Sequence, residues 1–335
     1  MSLSQEERPL AVAPVISPRV SLARLGSMRE AGLIAIIVTM SIAMSFASPH
    51  FATWGNVRAM LMSFSVEGIV VVGMTVLLIV GGIDLAVGSV VCLAMVVGGS
   101  LFLLGLDPWT ASLIAIGACA MVGAVSGFFV TVVGLSHFIT SLAAMVIVRG
   151  LCLLITKGTP LSLFTLPPEF KAIGQGEFYG IPVVIIIFLV VVVLFDFLLR
   201  RATAFRKVFY TGSNEKAAQY SGIKTNQVKF WVTVLCSALA GLAGVIYMAR
   251  FGSATPTFGV GMELNIIAAA VIGGASLTGG SGSIFGAILG IGLLSVVTSS
   301  LILLNVPVYW QDVIRGCILL SAVSIDHLLH RSRSS

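Results

Sequence analysis

The chain has 335 residues, 58% of them hydrophobic and only 10% charged, and its mean hydropathy is +1.09. Soluble domains carry about 25% charged residues, so these few charges cannot cover a water-exposed surface, and the apolar residues must face lipid. An ordinary soluble protein is thereby excluded. The formal net charge of +6 has no nucleic-acid-binding motif beside it. We therefore expect no nucleic-acid partner and interpret the basic residues as a topology signal.

The N-terminal segment 1–30 is polar and contains four arginines and three prolines. It is too long and too irregular for the positively charged start of a signal peptide. We expect a disordered cytoplasmic tail here, followed by a first membrane span that is retained. A second cytoplasmic tail is expected at 327–335, which leaves 31–326 as one transmembrane domain.

Ten apolar stretches follow the tail, and a crossing requires about 20 mostly apolar residues. They cover residues 31–48, 68–82, 85–106, 110–133, 138–156, 181–199, 230–249, 264–279, 284–304 and 308–325. The second and eighth are short and end in glycine clusters. The sequence predicts an all-α polytopic membrane protein with about ten transmembrane helices.

The distribution of basic residues orients these spans. With the N-terminus inside, 13 of the 19 basic residues fall in cytoplasmic segments, four fall on the opposite side and two lie within spans. Cytoplasmic loops attract basic residues, so both ends are predicted to be inside. The two longest loops are an external one at 157–180 and an internal one at 200–229. We expect Pro160, Pro167 and Pro168 to prevent a helix in the external loop.

The internal loop contains the sequence GSNEKAAQYSGI at 212–223. Asn214 is a favourable helix N-cap, Glu215 suits the positive N-terminal end, and Gly222 suits the position after the last turn. The pattern predicts a short capped helix of about two turns outside the membrane.

A helix this short is marginal alone in water, so we expect it to pack on a partner. Ala217 and Ala218 would let that partner approach closely, and the helix could then move the flanking spans 181–199 and 230–249. A solvated connector is the alternative interpretation.

The segment GGIDLAVGS at 81–89 places Asp84 between the second and third spans. Charge at membrane depth is costly and indicates function, and the glycines, Gly82 among them, would allow a broken helix that lines a pathway. Ser89 and, at the start of the eighth span, Glu263 are assigned to the same path. The alternative is a simple turn in which Asp84 caps the third span.

Two arginines lie within spans. Arg149 in the fifth span could reach the membrane surface, line the path or pair with an acid, and we favour the pair. Asp312 and Arg315 stand three residues apart in the last span and can pair on one helix face.

The motif G-G-x-x-L-x-x-G-S at 81–89 recurs at 273–281, which indicates either a parallel internal repeat or chance turn chemistry. Gly282, Gly286 and Gly290 lie four apart and predict a closely packed helix face. The five cysteines all lie in apolar stretches and form no C-x-x-C pair, so we expect no disulfide framework and no metal site. No phosphate-binding loop, zinc motif or nucleophile elbow is present, so we expect no enzyme and no cofactor bound by this chain.

Four motifs in this order resemble the ribose-type monosaccharide permeases of ABC importers, within the branched-chain amino acid/sugar permease superfamily. They lie at 81–89, 212–223, 270–280 and 305–311, and the likeness runs from about Phe51 to Asp326. Ala86 stands where the family pattern usually has serine.

The resemblance implies a multi-pass protein of the bacterial inner membrane, paired with a second copy or a sister permease. It implies cytoplasmic ATPase subunits, which use the ATP and magnesium, and a periplasmic sugar-binding protein. The segment 212–223 would be the helix that couples the chain to the ATPase. Its coupling residues would be Gly212, Asn214, Glu215, Ala217, Ala218, Ser221 and Gly222. Known substrates of the family are several monosaccharides and polyols, and we favour a pentose or related polyol.

Two other functions compete with an ABC permease. A proton- or sodium-coupled carrier of a small polar solute requires several acids at mid-span, and Asp84 and Asp312 are too few and too near the helix ends. A membrane-embedded enzyme requires a catalytic cluster, which the sequence does not contain.

The orientation can be tested with reporter fusions. A reporter placed after Lys171 should lie outside and one placed after Lys216 should lie inside, because the basic residues are concentrated on the Lys216 side. A fusion after Arg331 serves as a control and should agree with Lys216. The same location for the Lys171 and Lys216 fusions would contradict the predicted topology.

Overall fold

The computed structural model describes the backbone of residues 22–334, and the side chains of 29–324 except 319, 322 and 323. The predicted tail up to residue 21 lies outside the described residues. The helices are α1 (Leu22–Ala47), α2 (Trp54–Ile79), α3 (Val87–Leu103), α4 (Pro108–Phe128), α5 (His137–Thr156), α6 (Pro168–Gln175), α7 (Val183–Arg201), α8 (Thr203–Ser213), α9 (Glu215–Tyr220), α10 (Thr225–Phe251), α11 (Met262–Ile272), α12 (Ile284–Leu303) and α13 (Val308–Ser334). A π-helical turn, Phe129–Val133, continues α4.

Seven helices of the described chain are long and apolar enough to cross a membrane: α1, α2, α4 with its π-helical turn, α5, α7, α10 and α12. Two further apolar helices, α3 and α11, are shorter. The prediction of an all-α polytopic membrane protein is confirmed. The count of about ten crossings and the orientation stay predictions.

The core of the bundle is formed by α2, α3 and α10. Most of α2 and α10 is buried inside the protein, whereas less than a quarter of α1, α4 and α5 is buried. An exposed apolar helix is stable at the periphery because lipid replaces water there. The central helices are therefore positioned to line any polar path, while the peripheral ones face the bilayer.

Segments predicted to lie on the same side of the membrane contact one another. On the external side, two short strands pair antiparallel: β1 (Leu161–Ser162) from the long loop and β4 (Ser253–Ala254) after α10. A second pair, β2 (Glu177–Phe178) and β3 (Ile181–Pro182), lies within the same external loop. Arg58 at the start of α2 forms an ion pair with Glu177.

On the predicted internal side, Arg29 donates to the carbonyl oxygen of Val271 at 2.6 Å and Ser283 donates to Glu30 at 3.1 Å. These contacts tie the start of the first span to both ends of the loop that joins α11 and α12. Each predicted side is thus a connected layer of loops.

The external loop contains a helix, α6, so the expectation that its prolines exclude one is wrong. Pro167 is the N-cap of α6 and Pro168 occupies its first turn. Proline lacks only an N–H that no helical carbonyl would accept at this position, and its fixed φ suits the first turn. Pro160 precedes β1 and lies outside any helix.

Both predicted tails are partly helical. α1 begins at Leu22, after the last proline of the tail, so 22–30 extends the first span rather than continuing the tail. α13 continues to Ser334, because the segment 327–335 contains no glycine or proline to end it.

The predicted eighth span, 264–279, is not a continuous helix. α11 has 11 residues and is about 16 Å long, roughly half of the hydrocarbon thickness. The irregular segment 252–261 precedes it and begins on the predicted external side, where the Gly252 carbonyl accepts from the amide of Leu163 at 2.9 Å. The chain therefore crosses the hydrocarbon layer first as the irregular segment 252–261 and then as the helix α11. Such interrupted helices occur where they are buried in protein or line a cavity.

The half-helix α11 is held by close packing against α12. A methyl group at Gly286 would overlap the carbonyl oxygen of Gly273, and one at Gly290 would overlap that of Ala269. Two of the three glycines predicted to form a packed face thus belong to α12 and pack against α11 and its C-cap. The third, Gly282, contacts Ile79 at the end of α2.

The Gly290 contact predicts a stability difference. Gly290→Ala should destabilise the folded protein by roughly 1–3 kcal/mol, because the backbone oxygen of Ala269 cannot move aside without shifting α11. Gly292→Ala is the matched control, since a methyl group there would have its nearest neighbour at 3.6 Å. Thermal unfolding of both purified variants in detergent checks this, and equal midpoints would contradict it.

Candidate functional site

The connection between α2 and α3 carries the predicted Asp84 feature. Residues 80–86 are not helical, and the buried Asp84 carboxylate accepts from the amide of Ala86 at 2.7 Å. Ala86, not Asp84, is the N-cap residue of α3. A non-helical turn therefore joins α2 to α3, and Asp84 stabilises it locally. The assignment of Asp84 to a path stays a prediction. The Ser89 hydroxyl is buried and has no hydrogen-bond partner among the described residues.

The segment 81–89 packs against two other elements. Gly82 lies against His137 at the start of α5, where a methyl group would come within 3.0 Å of the imidazole ring. Gly88 lies against Gly259, and a methyl group at Gly88 would overlap the Gly259 carbonyl oxygen and lie 2.7 Å from a Glu263 carboxylate oxygen. The structure thus brings Glu263 to the first turn of α3, beside Ser89.

Arg149 binds backbone carbonyl groups, so its predicted pairing with an acid is wrong. Its guanidinium donates to the carbonyl oxygens of Phe258 at 2.6 Å and Pro256 at 3.0 Å. These carbonyls belong to the irregular segment 252–261 and have no helical partners, and bare carbonyls at membrane depth need a donor. Arg149 stands 12 residues into α5, about 18 Å from its first residue. It therefore anchors the irregular segment deep in the bundle.

A cavity that the sequence did not predict lies on the other side of the same segment. About 240 Å³ of space lies between α2, α11, α12 and α13, and about 580 Å³ adjoins it towards α10 and residues 258–261. Both cavities are lined by Ser63, Glu67, Asn265 and Arg315. A cavity of this size into which several polar side chains converge is a candidate site.

Glu67 is the residue that sequence reasoning missed. The second span was predicted to start at 68, whereas α2 begins at Trp54 and places Glu67 at its middle. The signal was available, because 68–82 is shorter than the roughly 20 residues of a crossing and an extension towards the N-terminus includes Glu67.

Asp312 and Arg315 lie 3.1 Å apart, from carboxylate oxygen to guanidinium nitrogen. Both line the larger cavity. The pair is thus part of the cavity wall rather than an isolated feature of α13. Its partly exposed carboxylate limits what the pair contributes to stability.

The internal loop folds as α8 followed by α9. Asn214 is the N-cap of α9 and accepts from the amide of Ala217 at 3.0 Å. Gly222 has φ of +80°, the left-handed conformation that ends such helices. Glu215 forms an ion pair with Lys229 of α10 at 2.6 Å. These contacts fix α9 to the start of α10.

The two alanines of α9 face in different directions. Ala218 is 4% exposed and packs on its own chain, whereas Ala217 is exposed. Adjacent helical residues are separated by about 100°, so both cannot face one partner. The outward surface of α9 also carries Tyr220, which is 91% exposed, and Ser221 beside it.

Gly212 joins α8 to both glycine motifs. A methyl group at Gly212 would overlap the carbonyl oxygen of Ile79, and the same oxygen accepts from the amide of Gly280 at 2.8 Å. A methyl group at Gly279 would lie 2.9 Å from the carbonyl oxygen of Gly212 and 3.1 Å from the backbone of Gly81. The ends of α2, α8 and the loop before α12 therefore meet at one backbone junction.

A family model described as branched-chain amino acid transport system / permease component matches residues 56–323. The chain is 37% identical over 302 residues to the ribose import permease protein of Escherichia coli strain K12, covering 90% of this chain and 94% of that protein. It is 35% identical over 301 residues to the ribose import permease protein of Bacillus subtilis strain 168, covering 90% of this chain and 94% of that protein. It is 32% identical over 302 residues to the L-arabinose transport system permease protein of Escherichia coli strain K12, covering 90% and 92%. No solved structure matches the chain.

The carbonyl contacts of Arg149 can be tested by hydrogen exchange. Arg149→Met should accelerate exchange in 252–261 and lower stability by roughly 1.5–3 kcal/mol, because it removes a charged donor from two carbonyls. Arg149→Lys should retain part of the protection. Arg200→Met is a control, since Arg200 pairs with Asp196 outside this region at 2.7 Å. Unchanged exchange in 252–261 with Arg149→Met would show that the anchor is elsewhere.

Proposed function

Because the chain belongs to the family of branched-chain amino acid transport system permease components, we propose that it forms the membrane path of an ABC importer for a monosaccharide. Its family and its relatives are transport permeases, so the chain is a transport permease and not an enzyme. The observation that carries the substrate class is its 37% identity to a ribose import permease along 90% of the chain. Relatives named for arabinose and allose support a pentose or a related sugar or polyol.

The ion-coupled carrier is the weaker candidate. Its expected signature is a set of acids at mid-span, and Glu67 adds one to Asp84 and Asp312. Arg315 lines both cavities together with Glu67, and Arg250 lies 3.5 Å from Ser63 of the same wall, so this acid has basic neighbours. None of the relatives is named as an ion-coupled carrier.

The residues that we assign to the path lie around the two non-helical segments that precede α3 and α11. Gly82, Asp84, Ser89, Arg149 and Glu263 gather around 81–89 and 252–261, where α3 and α11 both begin. In this proposal the two interrupted helices form a gate in the path. The close fit of Gly88 on Gly259 favours a closed gate, since backbone contact leaves no space for a solute.

The complete importer in this proposal contains partners on both sides of the bacterial inner membrane. Ten crossings with both ends inside would place 200–229 in the cytoplasm and 157–180 in the periplasm. An ATPase subunit then binds α9 and holds the ATP and magnesium, and a sugar-binding protein delivers the substrate from outside. A second copy or sister permease completes the path. The layers of loops described above support this assignment of sides.

In this proposal, exposure decides which residues of 212–223 contact the ATPase. Asn214, Glu215 and Gly222 shape α9, and Ala218 seats it on its own chain. Ala217, with Tyr220 and Ser221, remains as the outward face. An exposed tyrosine is a typical anchor of a protein interface. Gly212 lies behind this face and transmits its movement to α2 through the contact with Ile79.

Substitutions on the outward face of α9 should weaken ATPase binding, whereas a substitution of the buried Ala218 should impair folding. Ala217→Trp and Tyr220→Ala should weaken ATPase binding at least about tenfold and reduce sugar uptake, because both alter the contact surface. Ala218→Trp should instead lower the level of folded permease, since the indole has no space in the buried position. Ala204→Trp is the matched control on the exposed surface of α8.

The measurements use the importer reconstituted with its ATPase and binding protein in lipid vesicles. ATPase binding, ATP hydrolysis and uptake of ribose and arabinose are determined separately. Wild-type values with Ala217→Trp and Tyr220→Ala would show that α9 is a connector. Absence of any monosaccharide uptake by the wild-type importer would overturn the proposed substrate class.

A further inference from the structure

The two cavities meet halfway across the membrane. Glu67 is 13 residues after Trp54 and 12 before Ile79, which places it about 20 Å and 18 Å from the two ends of α2. The smaller cavity extends from Glu67 to Asn56, near the end of α2 that begins on the external side. The larger cavity lies beside α11 and falls within the size range of small-molecule sites. Together they offer a solute a place at mid-membrane.

Two polar side chains of this space, and one nitrogen atom of a third, have no hydrogen-bond partner among the described residues. No hydrogen bond joins Glu67 or Asn265 to any residue of the described chain. The Nε of Arg315 is buried and also has no partner among the described residues, although its Nη1 binds Asp312. Glu67 and Asn265 are half-buried, and polar groups withdrawn from water without hydrogen bonds cost free energy. Their convergence on one cavity therefore indicates a ligand that supplies the missing bonds.

The chemistry of these groups matches hydroxyl groups. A carboxylate accepts hydrogen bonds, a guanidinium donates them, and the Asn265 amide does both. A hydroxyl also does both, so adjacent hydroxyls can bond Glu67 and Asn265 at once. Asn265 is held at this depth because α11 begins only at Met262.

The other wall of the larger cavity is aromatic. Tyr247, Phe251 and Phe258 line it, with ring centroids 4.7 to 5.8 Å apart. Ring surfaces of this kind pack on the C–H face of a sugar while the polar wall binds its hydroxyls. Phe258 is also one of the two residues whose carbonyls Arg149 binds, so the anchor of the irregular segment positions this wall.

Charge balance favours a neutral solute over an ion. Two carboxylates, Glu67 and Asp312, and the guanidinium of Arg315 line the larger cavity. A second guanidinium, that of Arg250, lies beside it at 3.5 Å from Ser63. A site for a cation or an anion would carry an excess of the opposite charge. The near-neutral cluster provides strong hydrogen-bonding groups without such an excess.

We propose that these cavities bind the transported monosaccharide midway across the membrane, with Glu67 and Asn265 hydrogen-bonded to neighbouring sugar hydroxyls and the aromatic wall against the sugar ring. The proposal rests on the proposed function, because it assigns the sugar of that function to a site within one permease chain. Glu67 and Asn265 would then determine which arrangement of hydroxyls passes.

The test compares sugar analogues in the reconstituted importer. Uptake of ribose and of its monodeoxy analogues is measured for the wild type, Glu67→Gln and Asn265→Ala, together with ATP hydrolysis stimulated by the loaded binding protein. Glu67→Gln should reduce ribose uptake about tenfold, because a charged hydrogen bond is lost, while stimulated hydrolysis is retained. One deoxy analogue, lacking the hydroxyl that Glu67 binds, should be transported equally by the wild type and the variant.

Asn265→Ala should show the same behaviour with an analogue that lacks a neighbouring hydroxyl. Glu169→Gln is the matched control, since Glu169 is exposed on α6 and away from the cavities, and its uptake profile should equal that of the wild type. A purely structural role of Glu67 would lower the uptake of every analogue in the same proportion.

The outcomes separate this proposal from the proposed function. If the wild type transports monosaccharides while both cavity variants keep its analogue profile, the cavity proposal is overturned and the proposed function stands. If both variants fail to assemble or lose hydrolysis together with uptake, the polar groups serve packing or gating, and the proposal is again overturned. If the wild type transports no monosaccharide, the proposed function itself fails.

Discussion

The irregular segment 252–261 passes through a layer in which no water is available to its backbone carbonyl groups. The guanidinium of Arg149 satisfies two of them, and the Cys92 thiol lies 3.2 Å from the Pro256 carbonyl oxygen. Without these donors the segment would have to become helical or leave the membrane. Because it stays, α11 begins halfway across, and both the close contact at Gly88 and the cavity beside Asn265 follow from that start.

The second constraint is steric and concerns backbones in contact. Lipid gives apolar side chains little reason to associate, so packing of small residues holds membrane helices together. Gly290 lets α12 reach α11, and Gly212 lets α8 reach the end of α2. Such contacts transmit displacement efficiently, since backbone atoms cannot turn aside as a flexible side chain can. The glycines thus fix the half-helix and connect the loop 200–229 to the bundle.

Local chemistry explains which features the sequence could predict. The caps of α9 depend on residues within a few positions of one another, so Asn214 and Gly222 identify the helix without tertiary information. The recurrence of the glycine motif at 81–89 and 273–281 signals two interrupted connections, although only the structure shows that they meet through Gly279 and Gly81. The hydropathy of the other long spans likewise predicts their positions closely.

The partners of Arg149 and the cavity could not be read from the sequence. Every residue has a backbone carbonyl group, so the amino-acid sequence does not distinguish Pro256 and Phe258 as acceptors. Glu67 was missed because the second span was predicted to start at residue 68, directly after it. The prolines of the external loop misled for a different reason, because Pro168 starts α6 instead of breaking it.

One helix connects the two functional regions. The end of α2 at Ile79 lies in the backbone junction with Gly212 and Gly280, and its middle carries Glu67 on the cavity wall. A rigid helix moves as a unit, so a displacement of α8 and α9 at the Ile79 end of α2 must tilt or shift Glu67 relative to Asn265 and Arg315. The distance between these polar groups determines whether one sugar can bond them together. If the cavity binds the sugar as proposed, movement of the loop 200–229 would therefore change its affinity directly, without a separate relay of side chains between the two regions.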